Sequence, residues 1–430
     1  MEKIDVLMIN LSIIESEMAM MPPLGQMYIA TVLKKNGYKV KILDLAVEKN
    51  KLEIVYQMIC KYDPKIVGLS SYYETWNQMY NVAELIKRVN KDIVACVGGN
   101  GATFSYEEIM NNENIDYVIR FEGEYSFLQL CEYVMKSSGS LDCISGLVYR
   151  WKKQICINQE SRITTLDELP FPDRELIDLK KYIYPFTIIT SRGCAGNCIF
   201  CSSKAFWNKK VRFRSIDNVV EELREIKQKY DADTFFLLDD NFTLNSKRVS
   251  EFCQLLINEK MNFKWFCETR ADCLKKSILQ EMYDSGCRWL QIGLESGNDN
   301  VLKNIGKNLK YEQIEKAIKE AYLLGFKIKI SAILGHHMDD DSTINETIQK
   351  VEYLKTEYGA EIAWSVNTPF PGTDLYIQRE KYGIDILTNS WNNYRMDNPI
   401  INTKFLRVND LRKYLAMVEG RNGDEGIYKA

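Results

Sequence analysis

Three cysteines stand close together near the middle of the chain, in the segment Cys194-Ala-Gly-Asn-Cys198-Ile-Phe-Cys201. Three thiolates at this spacing can converge on one metal centre when the segment forms a tight loop. Zinc normally takes a fourth protein ligand, and no Cys or His pair at zinc-finger spacing lies nearby. A four-iron cluster on three cysteines instead leaves one iron open to bind and reduce a substrate or cofactor directly. The segment therefore predicts a metal site, with three incidental core thiols as the alternative.

Histidine occurs only twice in the 430 residues, as His336 and His337, against 12 cysteines. Everything before residue 336 must therefore do its chemistry without imidazole, which excludes serine–histidine triads and histidine-ligated cofactors from that part of the chain. The histidine pair follows a predicted strand, so a general acid–base role for His336 and His337 near a substrate is one prediction. A strand cap and a solvated side chain are the alternative.

The composition is that of an ordinary globular protein. Lys plus Arg total 56 against 59 for Asp plus Glu, a net charge of −3, and this balance argues against a nucleic-acid partner. The first residues do not resemble a secretory signal, and no run of about 18 apolar residues predicts a membrane span. Twelve dilute cysteines then indicate free thiols in a reducing, cytoplasmic setting.

Strands and helices alternate from Ile4 to about Val134, which is typical of a parallel sheet with helical crossovers. We expect an α/β fold with a doubly wound, Rossmann-like domain over residues 1–140. Its ligand should lie beyond the carboxyl ends of the strands, where the loops that begin at Ser70 and at Gly98 are found.

The alternation of strands and helices stops over residues 141–182, which are predicted to form a linker stiffened by Pro170 and Pro172. A second series follows, with strands predicted near 186–191, 233–239, 263–269, 288–294, 327–334 and 361–367. Six strand–helix repeats predict a partial (β/α)6 barrel over 183–375, followed by a C-terminal extension over 376–430 that caps the barrel.

The cysteine spacing, with Phe200 before the last cysteine, resembles the signature of the radical S-adenosylmethionine (SAM) superfamily. Five later segments, each at a predicted strand end, are similar to motifs of that family in the same order. The resemblance implies that Cys194, Cys198 and Cys201 bind a [4Fe-4S] cluster and that SAM chelates its open iron. It also implies SAM contacts from the following residues: Phe200, Asp239 or Asp240 with the ammonium group, Arg270 with the carboxylate, Glu295 with the ribose, and Ser296 and Gly335. A solvated turn for the aspartates and structural salt bridges for Arg270 and Glu295 are the alternatives.

The first domain resembles the cobalamin-binding domain that precedes the barrel in one large subfamily. The resemblance implies cobalamin as a further cofactor, with contacts from Ser70, Ser71, Tyr72, Tyr73, Glu74, Trp76, Gly98, Gly99, Asn100, Glu122, Gly123 and Glu124. The subfamily often has a histidine where this chain has Asn100-Gly101, and the domain contains no histidine at all. If cobalamin binds, its nucleotide tail must then fold away, and water or one of four side chains, Tyr72, Tyr73, Glu74 or Trp76, must meet the lower face of cobalt. The alternative is a sheet that has lost cobalamin and serves in docking or substrate binding.

The two resemblances together imply a cobalamin-dependent radical SAM methyltransferase that acts on an unactivated carbon, or on phosphorus, of a small biosynthetic substrate. One SAM would methylate cobalamin and a second would supply the 5′-deoxyadenosyl radical. The expected partners are the substrate and an electron donor such as flavodoxin or ferredoxin, with no membrane. The alternatives are the same architecture with non-methylating radical chemistry (rearrangement, oxidation, ring contraction or another C–S cleavage of SAM) and a non-catalytic regulator.

Overall fold

The computed structural model describes residues 3–14 and 16–421. The chain forms two compact units, which divide between Pro185 and Phe186. Residues 422–430, the end of the predicted extension 376–430, lie outside the described residues. In the described part of the chain, no helix has both the length and the apolar character that crossing a bilayer requires.

The first unit is built on a seven-stranded sheet in the order β2-β1-β3-β4-β5-β6-β7. β1 to β5 are parallel, and β6 and β7 are added antiparallel at one edge. The strands are β1 Val6–Asn10, β2 Val40–Asp44, β3 Ile66–Ser70, β4 Val94–Gly98, β5 Tyr117–Ile119, β6 Leu147–Trp151 and β7 Gln154–Ile157. β6 and β7 lie inside the range 141–182, so that range contributes to the sheet as well as connecting the two units.

Helices connect the parallel strands of the first unit, as a doubly wound sheet requires. They are α1 Leu24–Lys35, α2 Lys51–Tyr62, α3 Trp76–Val89, α4 Asn100–Phe104, α5 Tyr106–Met110 and α6 Glu124–Lys136. Val6, Ile66 and Cys96 on the strands and Leu33 and Leu130 on α1 and α6 are almost fully buried in one apolar cluster. The predicted doubly wound domain is confirmed.

The second unit contains a six-stranded parallel sheet in the order β15-β14-β13-β12-β11-β8. Its strands are β8 Thr187–Ile188, β11 Thr234–Leu237, β12 Lys264–Thr269, β13 Cys287–Glu295, β14 Lys327–Leu334 and β15 Glu361–Val366. Two short strands, β9 Ser191–Arg192 and β10 Arg212–Phe213, form a separate antiparallel pair after β8. β8 and β15 are the two edges of the curved sheet, so the predicted partial barrel is confirmed and is open.

The helices of the second unit follow the strands and cover one face of the sheet. The longer ones are α8 Ile216–Tyr230, α9 Ser246–Asn258, α10 Lys276–Asp284, α12 Tyr311–Leu324 and α13 Asp341–Tyr358; the short ones are α7 Ser203–Trp207, α11 Asp299–Asn304 and α14 Asp374–Ile377. In α8, Ile216, Val219, Val220, Leu223 and Ile226 are buried, which is the i, i+3, i+4, i+7 spacing of a helix that packs on a sheet. Such helices leave the opposite, concave face of the sheet for a ligand.

The chain continues after β15 into the extension. It contains an antiparallel pair, β16 Asp385–Ile386 and β17 Ile401–Asn402, and the helix α15 Val408–Arg421. Leu411 of α15 packs next to Gly335, directly after β14, and the amide of Val366 on β15 donates to the carbonyl of Met396 at 2.7 Å. The extension therefore packs at the carboxyl ends of β14 and β15.

Candidate active site

The cysteine loop runs from Gly193 to Ser202, between β9 and α7, at the carboxyl edge of the barrel strands. Its three cysteines are all partly exposed and free. The amide of Ile199 donates to the carbonyl of Ile305 at 3.0 Å, and the amide of Leu375 donates to the carbonyl of Ile199 at 3.0 Å. The loop is thereby held on both sides, by the residues after α11 and by the start of α14.

Gly306 allows the residues after α11 to approach the cysteine loop closely. A Cβ atom at this position would lie 2.4 Å from the carbonyl oxygen of Asn197 and 3.6 Å from the Cα of Cys198. The φ of Gly306 is +76°, in the left-handed region that glycine adopts without strain. We call residues 305–307 the buttress segment.

The predicted cluster ligands are Cys194, Cys198 and Cys201, and burial affects the thiols of two of them. Among the described residues, no group of three or more His, Cys, Asp or Glu side chains is arranged to hold one metal ion. A four-iron cluster takes its cysteines on different irons, so the sulfurs need not meet at one point. Burial raises the pKa of Cys201 to about 12 and also raises that of Cys198. Binding of iron must therefore displace the thiol protons.

Arg270 follows β12 and lies beside the loop. Its Nη1 is 3.8 Å from the sulfur of Cys198, and its Nη2 donates to the carbonyl of Lys307 at 2.9 Å. The guanidinium also forms a forked pair with Asp272, at 3.0 and 3.1 Å. It therefore forms a salt bridge and faces the cysteine loop at the same time.

Glu295, at the end of β13, forms a buried ion pair, which was the alternative prediction for this residue, with a partner that the sequence did not indicate. Its Oε1 lies 2.9 Å from Nζ of Lys307 in the buttress segment, and the two side chains are 11% and 4% exposed. Glu295 has a φ of +68°, which is unusual for a residue with a side chain, and the register of β13 on β14 shifts at this point. Lys307 was missed because it stands 12 residues after Glu295, beyond α11, and lysine alone carries no motif.

The two aspartates after β11 differ in their surroundings. Asp239 is buried and accepts hydrogen bonds from the amide and hydroxyl of Thr190, both at 2.6 Å, and from Ser191 at 2.5 Å. Burial raises the pKa of Asp239, and these bonds act against it. Asp240 is exposed and accepts from the amide of Gly193, at the start of the cysteine loop, at 3.2 Å. Asp240 is therefore the more available of the two.

The turn after β14 holds the histidine pair in a buried position. Asp339 accepts hydrogen bonds from the amides of Gly335 and His336, at 3.1 and 2.8 Å. His336 is 1% exposed, its ring centroid lies 5.6 Å from that of Phe200, and burial lowers its pKa to about 3. Burial also lowers the pKa of His337, whose ring lies 4.7 Å from that of Tyr382. Both imidazoles are therefore held in the neutral form at neutral pH.

Ser296 completes the set of predicted SAM contacts. Its side chain is buried, its hydroxyl lies 3.2 Å from that of Thr347 on α13, and it accepts from the amide of Asn298 at 3.1 Å. It shapes the turn after β13. The structure thus brings Phe200, Asp240, Arg270, Glu295 and the His336 turn to one edge, around the cysteine loop.

The concave face of the barrel carries a polar layer below that edge. Alternate residues of β12 face the helices and are buried, whereas Phe266 and Glu268 face the other way and are partly exposed. The register aligns Glu268 with Gln291 and Gln291 with Lys329. Burial raises the pKa of Glu268. We call Glu268, Gln291 and Lys329 the lumen layer.

In the first unit, the loops after β3 and β4 pack directly on each other. The amide of Ser71 donates to the carbonyl of Gly98 at 2.8 Å, and the amide of Gly101 donates to the carbonyl of Ser71 at 3.0 Å. A Cβ atom at Gly99, whose φ is +99°, would lie 3.0 Å from the carbonyl oxygen of Ser71. The hydroxyl of Ser71 is fully buried and has no hydrogen-bond partner among the described residues. A buried unpaired hydroxyl in a glycine-lined cradle fits the polar tail of a ligand such as cobalamin.

The loop after β5 joins the same edge. The amide of Phe121 donates to the hydroxyl of Thr103 at 2.9 Å, and Arg120 donates to the carbonyl of Thr103 at 3.2 Å. Glu122 and Glu124 next to it are buried, and Glu122 accepts from the amide of Ile163 at 3.0 Å. The predicted cobalamin residues therefore come from three loops that meet at the carboxyl edge of this sheet.

The side chains proposed for the lower face of cobalt are not equally accessible. The rings of Tyr73 and Trp76 are buried and stacked on each other, with centroids 5.9 Å apart. Tyr72 is 52% exposed, and Glu74 is partly exposed. Of the four side chains, Tyr72 and Glu74 remain within reach of a ligand.

An open α/β barrel with a three-cysteine loop at its carboxyl edge, preceded by a doubly wound sheet, defines the class of protein. The Radical SAM superfamily model matches residues 188–387, and the B12 binding domain model matches residues 15–130. The chain is 31% identical over 404 residues to an uncharacterized methyltransferase of Pyrococcus horikoshii, which covers 92% of this chain and 86% of that protein. This chain belongs to the radical SAM superfamily and carries an N-terminal B12-binding domain.

Other known proteins are similar to this chain over most of its length. The chain is 27% identical over 434 residues to the anaerobic magnesium-protoporphyrin IX monomethyl ester cyclase of Rubrivivax gelatinosus, covering 92% of this chain and 77% of that protein. The structure of OxsB with aqua-cobalamin and SAM superposes with a TM-score of 0.78 and 19% identity, over 97% of this chain and 66% of OxsB. The structure of the methyltransferase TsrM from Kitasatospora setae, with cobalamin and a [4Fe-4S] cluster, superposes with a TM-score of 0.74 and 15% identity. This match covers 90% of this chain and 77% of TsrM. The likeness to these structures shows that each of the two units has a known fold.

Proposed function

We propose that this protein is a cobalamin-dependent radical SAM methyltransferase that acts on an unactivated carbon, or on phosphorus, of a small biosynthetic substrate. The observation that carries the proposal is the position of the cysteine loop, at the barrel edge beside Arg270, Glu295 and Asp240, in a chain that also has a B12-binding domain. The methyltransferase of Pyrococcus horikoshii, similar over nearly the whole chain, supports methyl transfer.

The residues of the barrel edge supply binding and orientation. Cys194, Cys198 and Cys201 would hold the [4Fe-4S] cluster. Arg270 would pair with the carboxylate of SAM, and the exposed Asp240 would accept from its ammonium group. Glu295 keeps one carboxylate oxygen on Lys307, which leaves the other for the ribose hydroxyls. Phe200 and the buried His336 turn close the apolar side of the site.

The residues of the first unit would hold cobalamin. Ser71 and the glycine turn at Gly98 and Gly99 would receive its polar tail, with Asn100 at the position where the subfamily often has histidine. Tyr72 and Glu74 would lie nearest to the cobalt. When bound, cobalamin supplies a transferable methyl group and the cluster supplies the electron that cleaves SAM to the 5′-deoxyadenosyl radical.

The concave face of the barrel is suited to bind a small substrate. Within the described part of the chain, Glu268 and Lys329 of the lumen layer have no ion-pair partner, although Lys329 acts on Glu268 electrostatically. Phe266 and Trp289 pack below the layer, with ring centroids 5.6 Å apart. Unpaired charges above an aromatic floor suit a polar group on a small molecule. We propose that the substrate binds there.

Anaerobic turnover tests the proposed reaction. The purified protein is analysed for iron and cobalamin and then incubated with SAM, a low-potential reductant and candidate substrates. Methyl transfer requires S-adenosylhomocysteine and 5′-deoxyadenosine to form together. Formation of 5′-deoxyadenosine alone would exclude the methyl-transfer part of the proposal.

Two cysteine variants provide the control for that experiment. Cys201→Ala removes one predicted cluster ligand and should abolish both products and the iron content. Cys143→Ala changes an exposed thiol of the first unit and should leave both unchanged. Normal iron content in Cys201→Ala would show that the cysteine loop is not the cluster site.

A second candidate is non-methylating radical chemistry on the same architecture. The cyclase of Rubrivivax gelatinosus, similar over 92% of this chain, supports it. That chemistry would give 5′-deoxyadenosine and an altered substrate without S-adenosylhomocysteine, so product analysis separates the two. A protein that cannot cleave SAM when reduced would instead be a regulator.

We further propose a low-potential one-electron donor, such as flavodoxin or ferredoxin, as the redox partner. A cytoplasmic location is supported by the twelve free cysteines, because disulfides are rare in reducing compartments. Reduction of the cluster by purified flavodoxin under anaerobic conditions would test the donor.

A further inference from the structure

A strongly basic segment follows the last cysteine of the cysteine loop. Between Ser202 and Ser215 the chain has five basic residues and no acidic residue, although the whole chain carries a net charge of −3. The segment consists of α7, the turn after it and β10. We call residues 203–214 the basic segment. Its basic residues are Lys204, Lys209, Lys210, Arg212 and Arg214.

The five basic side chains differ in whether their charge is available to a partner. Lys204 and Arg214 pair with carboxylates of α14 and α8. Arg212 is half-buried, with its guanidinium carbon 5.4 Å from the centre of the Trp207 ring. Lys209 and Lys210 are exposed, and neither forms a salt bridge with a residue that the structure describes. These two adjacent lysines therefore present their charge to solvent.

The basic segment packs against the start of the cysteine loop. Gly193 precedes Cys194 and has a φ of +105°, and a Cβ atom there would overlap the carbonyl oxygen of Lys210. Standard backbone dimensions then place this oxygen within about 8 Å of the Cα of Cys194. The pairing of β10 with β9 aligns Arg212 with Arg192, just before Gly193. The exposed lysines and the first cysteine thus belong to one closely packed piece of the barrel edge.

We propose that the basic segment is the docking surface for an acidic, low-potential electron-transfer protein, which Lys209 and Lys210 attract. This inference rests on the proposed function only in requiring the [4Fe-4S] cluster and a protein that reduces it. The donor loses one electron, the oxidised cluster gains it, and no covalent bond changes. Opposite charges on the two surfaces raise the rate of encounter and orient the donor toward the cysteine loop.

The position of the basic segment favours an electron donor over other anionic partners. Electron transfer between two proteins requires their redox centres to come close, and this surface adjoins the predicted cluster. Redox encounters are transient and bury small interfaces, so a few exposed charges can direct them. A nucleic acid would instead need many phosphate contacts along a longer basic surface.

The test measures how fast reduced flavodoxin, an acidic protein, passes an electron to the anaerobically reconstituted full-length protein. Stopped-flow absorption of the flavin follows the reaction at low ionic strength. Lys209→Glu combined with Lys210→Glu should lower the second-order rate constant about tenfold. The difference from the wild type should shrink as salt is added, because salt screens charges on the surface.

A second pair of adjacent lysines provides the matched control. Lys152 and Lys153 are exposed in the turn between β6 and β7 and form no salt bridge within the described part of the chain. Lys152→Glu combined with Lys153→Glu changes the net charge by the same amount and should leave the rate constant nearly unchanged. The comparison therefore separates the place of the charge from the total charge.

The cluster itself is checked in each variant by its iron content and by the extent of bleaching with dithionite, a small reductant that needs no docking surface. Both should equal the wild-type values. If the double glutamate variant of the basic segment loses iron, Lys209→Gln combined with Lys210→Gln takes its place. It should lower the rate constant in the same direction, by a smaller factor.

Equal rate constants for the variants of the two lysine pairs would overturn the proposal. A wild-type cluster that dithionite reduces and flavodoxin does not would overturn it as well. The experiment needs no SAM and no substrate. Normal reduction by flavodoxin without methyl transfer would therefore refute the proposed reaction and leave the docking surface standing.

Discussion

Burial shifts the pKa values of two residues in one turn in opposite directions. Burial lowers the pKa of His336 to about 3 and raises that of Asp339 to about 6. The neutral imidazole contributes stability that is present above its unfolded pKa of about 6.5 and is lost as the pH falls toward 3. Asp339 acts in the opposite sense, because its contribution is lost as the pH rises from about 4 through 6. The turn therefore contains two opposed pH dependences.

Replacing His336 should leave Asp339 as the residue of this turn that makes stability depend on pH. In the wild type, protonation of the unfolded His336 should cost about 2 kcal/mol of stability between pH 7 and pH 5. His336→Asn cannot titrate, so this loss should disappear. Urea unfolding of the second unit at the two pH values measures it. Asp339→Asn is the matched control and should make the acid loss larger; an unchanged loss in His336→Asn would contradict the buried neutral state.

The adjacent aspartates should separate into a structural and a binding residue. Asp239 accepts three hydrogen bonds in the buried turn around Thr190, so Asp239→Asn should lower the free energy of unfolding by about 1–3 kcal/mol. Asp240→Asn should leave stability nearly unchanged and weaken SAM binding several-fold. Equilibrium dialysis with SAM and urea unfolding measure the two effects, and a reversed pattern would move the ammonium contact to Asp239.

At the scale of elements, the buttress segment connects α11 to the cysteine loop, and the effect of its tight packing on the loop can be tested directly. Gly306→Ala would bring a methyl group to 2.4 Å from the carbonyl oxygen of Asn197. The loop must then shift, so we expect less iron per protein and a weaker [4Fe-4S] absorption after reconstitution.

Gly359, after α13, is the matched control for this change. Its φ is +60° and a Cβ there has no neighbour within 4 Å, so Gly359→Ala carries the same kind of backbone strain without the clash. Both variants should lose about 1 kcal/mol from strain, and only Gly306→Ala should lose iron. Normal iron content in Gly306→Ala would show that the cysteine loop does not depend on the buttress.

The strands of the barrel were predictable because each is a short apolar run that ends in polar residues at a shared edge. The strand predicted over 263–269 is Lys264–Thr269, and that over 327–334 is Lys327–Leu334. The positions of Arg270 and Glu295 beside the cysteines came instead from the resemblance to the radical SAM family, whose motifs their segments match. Lys307 could not be placed, because its pairing with Glu295 depends on the path of α11. The strands at 147–157 were also missed, since pairing at a sheet edge is a tertiary contact.

At the scale of the whole molecule, the two units differ in their histidine content. Both histidines belong to the second unit, where they are buried, and the first unit has none. The accessible side chains of that unit at the cobalamin edge that could ligate the cobalt are Tyr72 and Glu74, each through an oxygen atom. If cobalamin binds with its nucleotide tail folded away, the first unit has no imidazole side chain that could ligate the cobalt. The cobalt should therefore be unligated on its lower face or bound to oxygen.

EPR spectroscopy of the holoenzyme with cobalamin reduced to the cob(II) state tests this ligation. We expect a spectrum without the nitrogen superhyperfine splitting that a bound imidazole or benzimidazole produces. Free cob(II)alamin in the same buffer, which keeps its own benzimidazole ligand, provides the positive control, and cob(II)inamide provides the reference without nitrogen. Tyr72→Phe should alter the spectrum only if the phenol oxygen is the ligand. Nitrogen splitting in the wild-type enzyme would contradict this prediction.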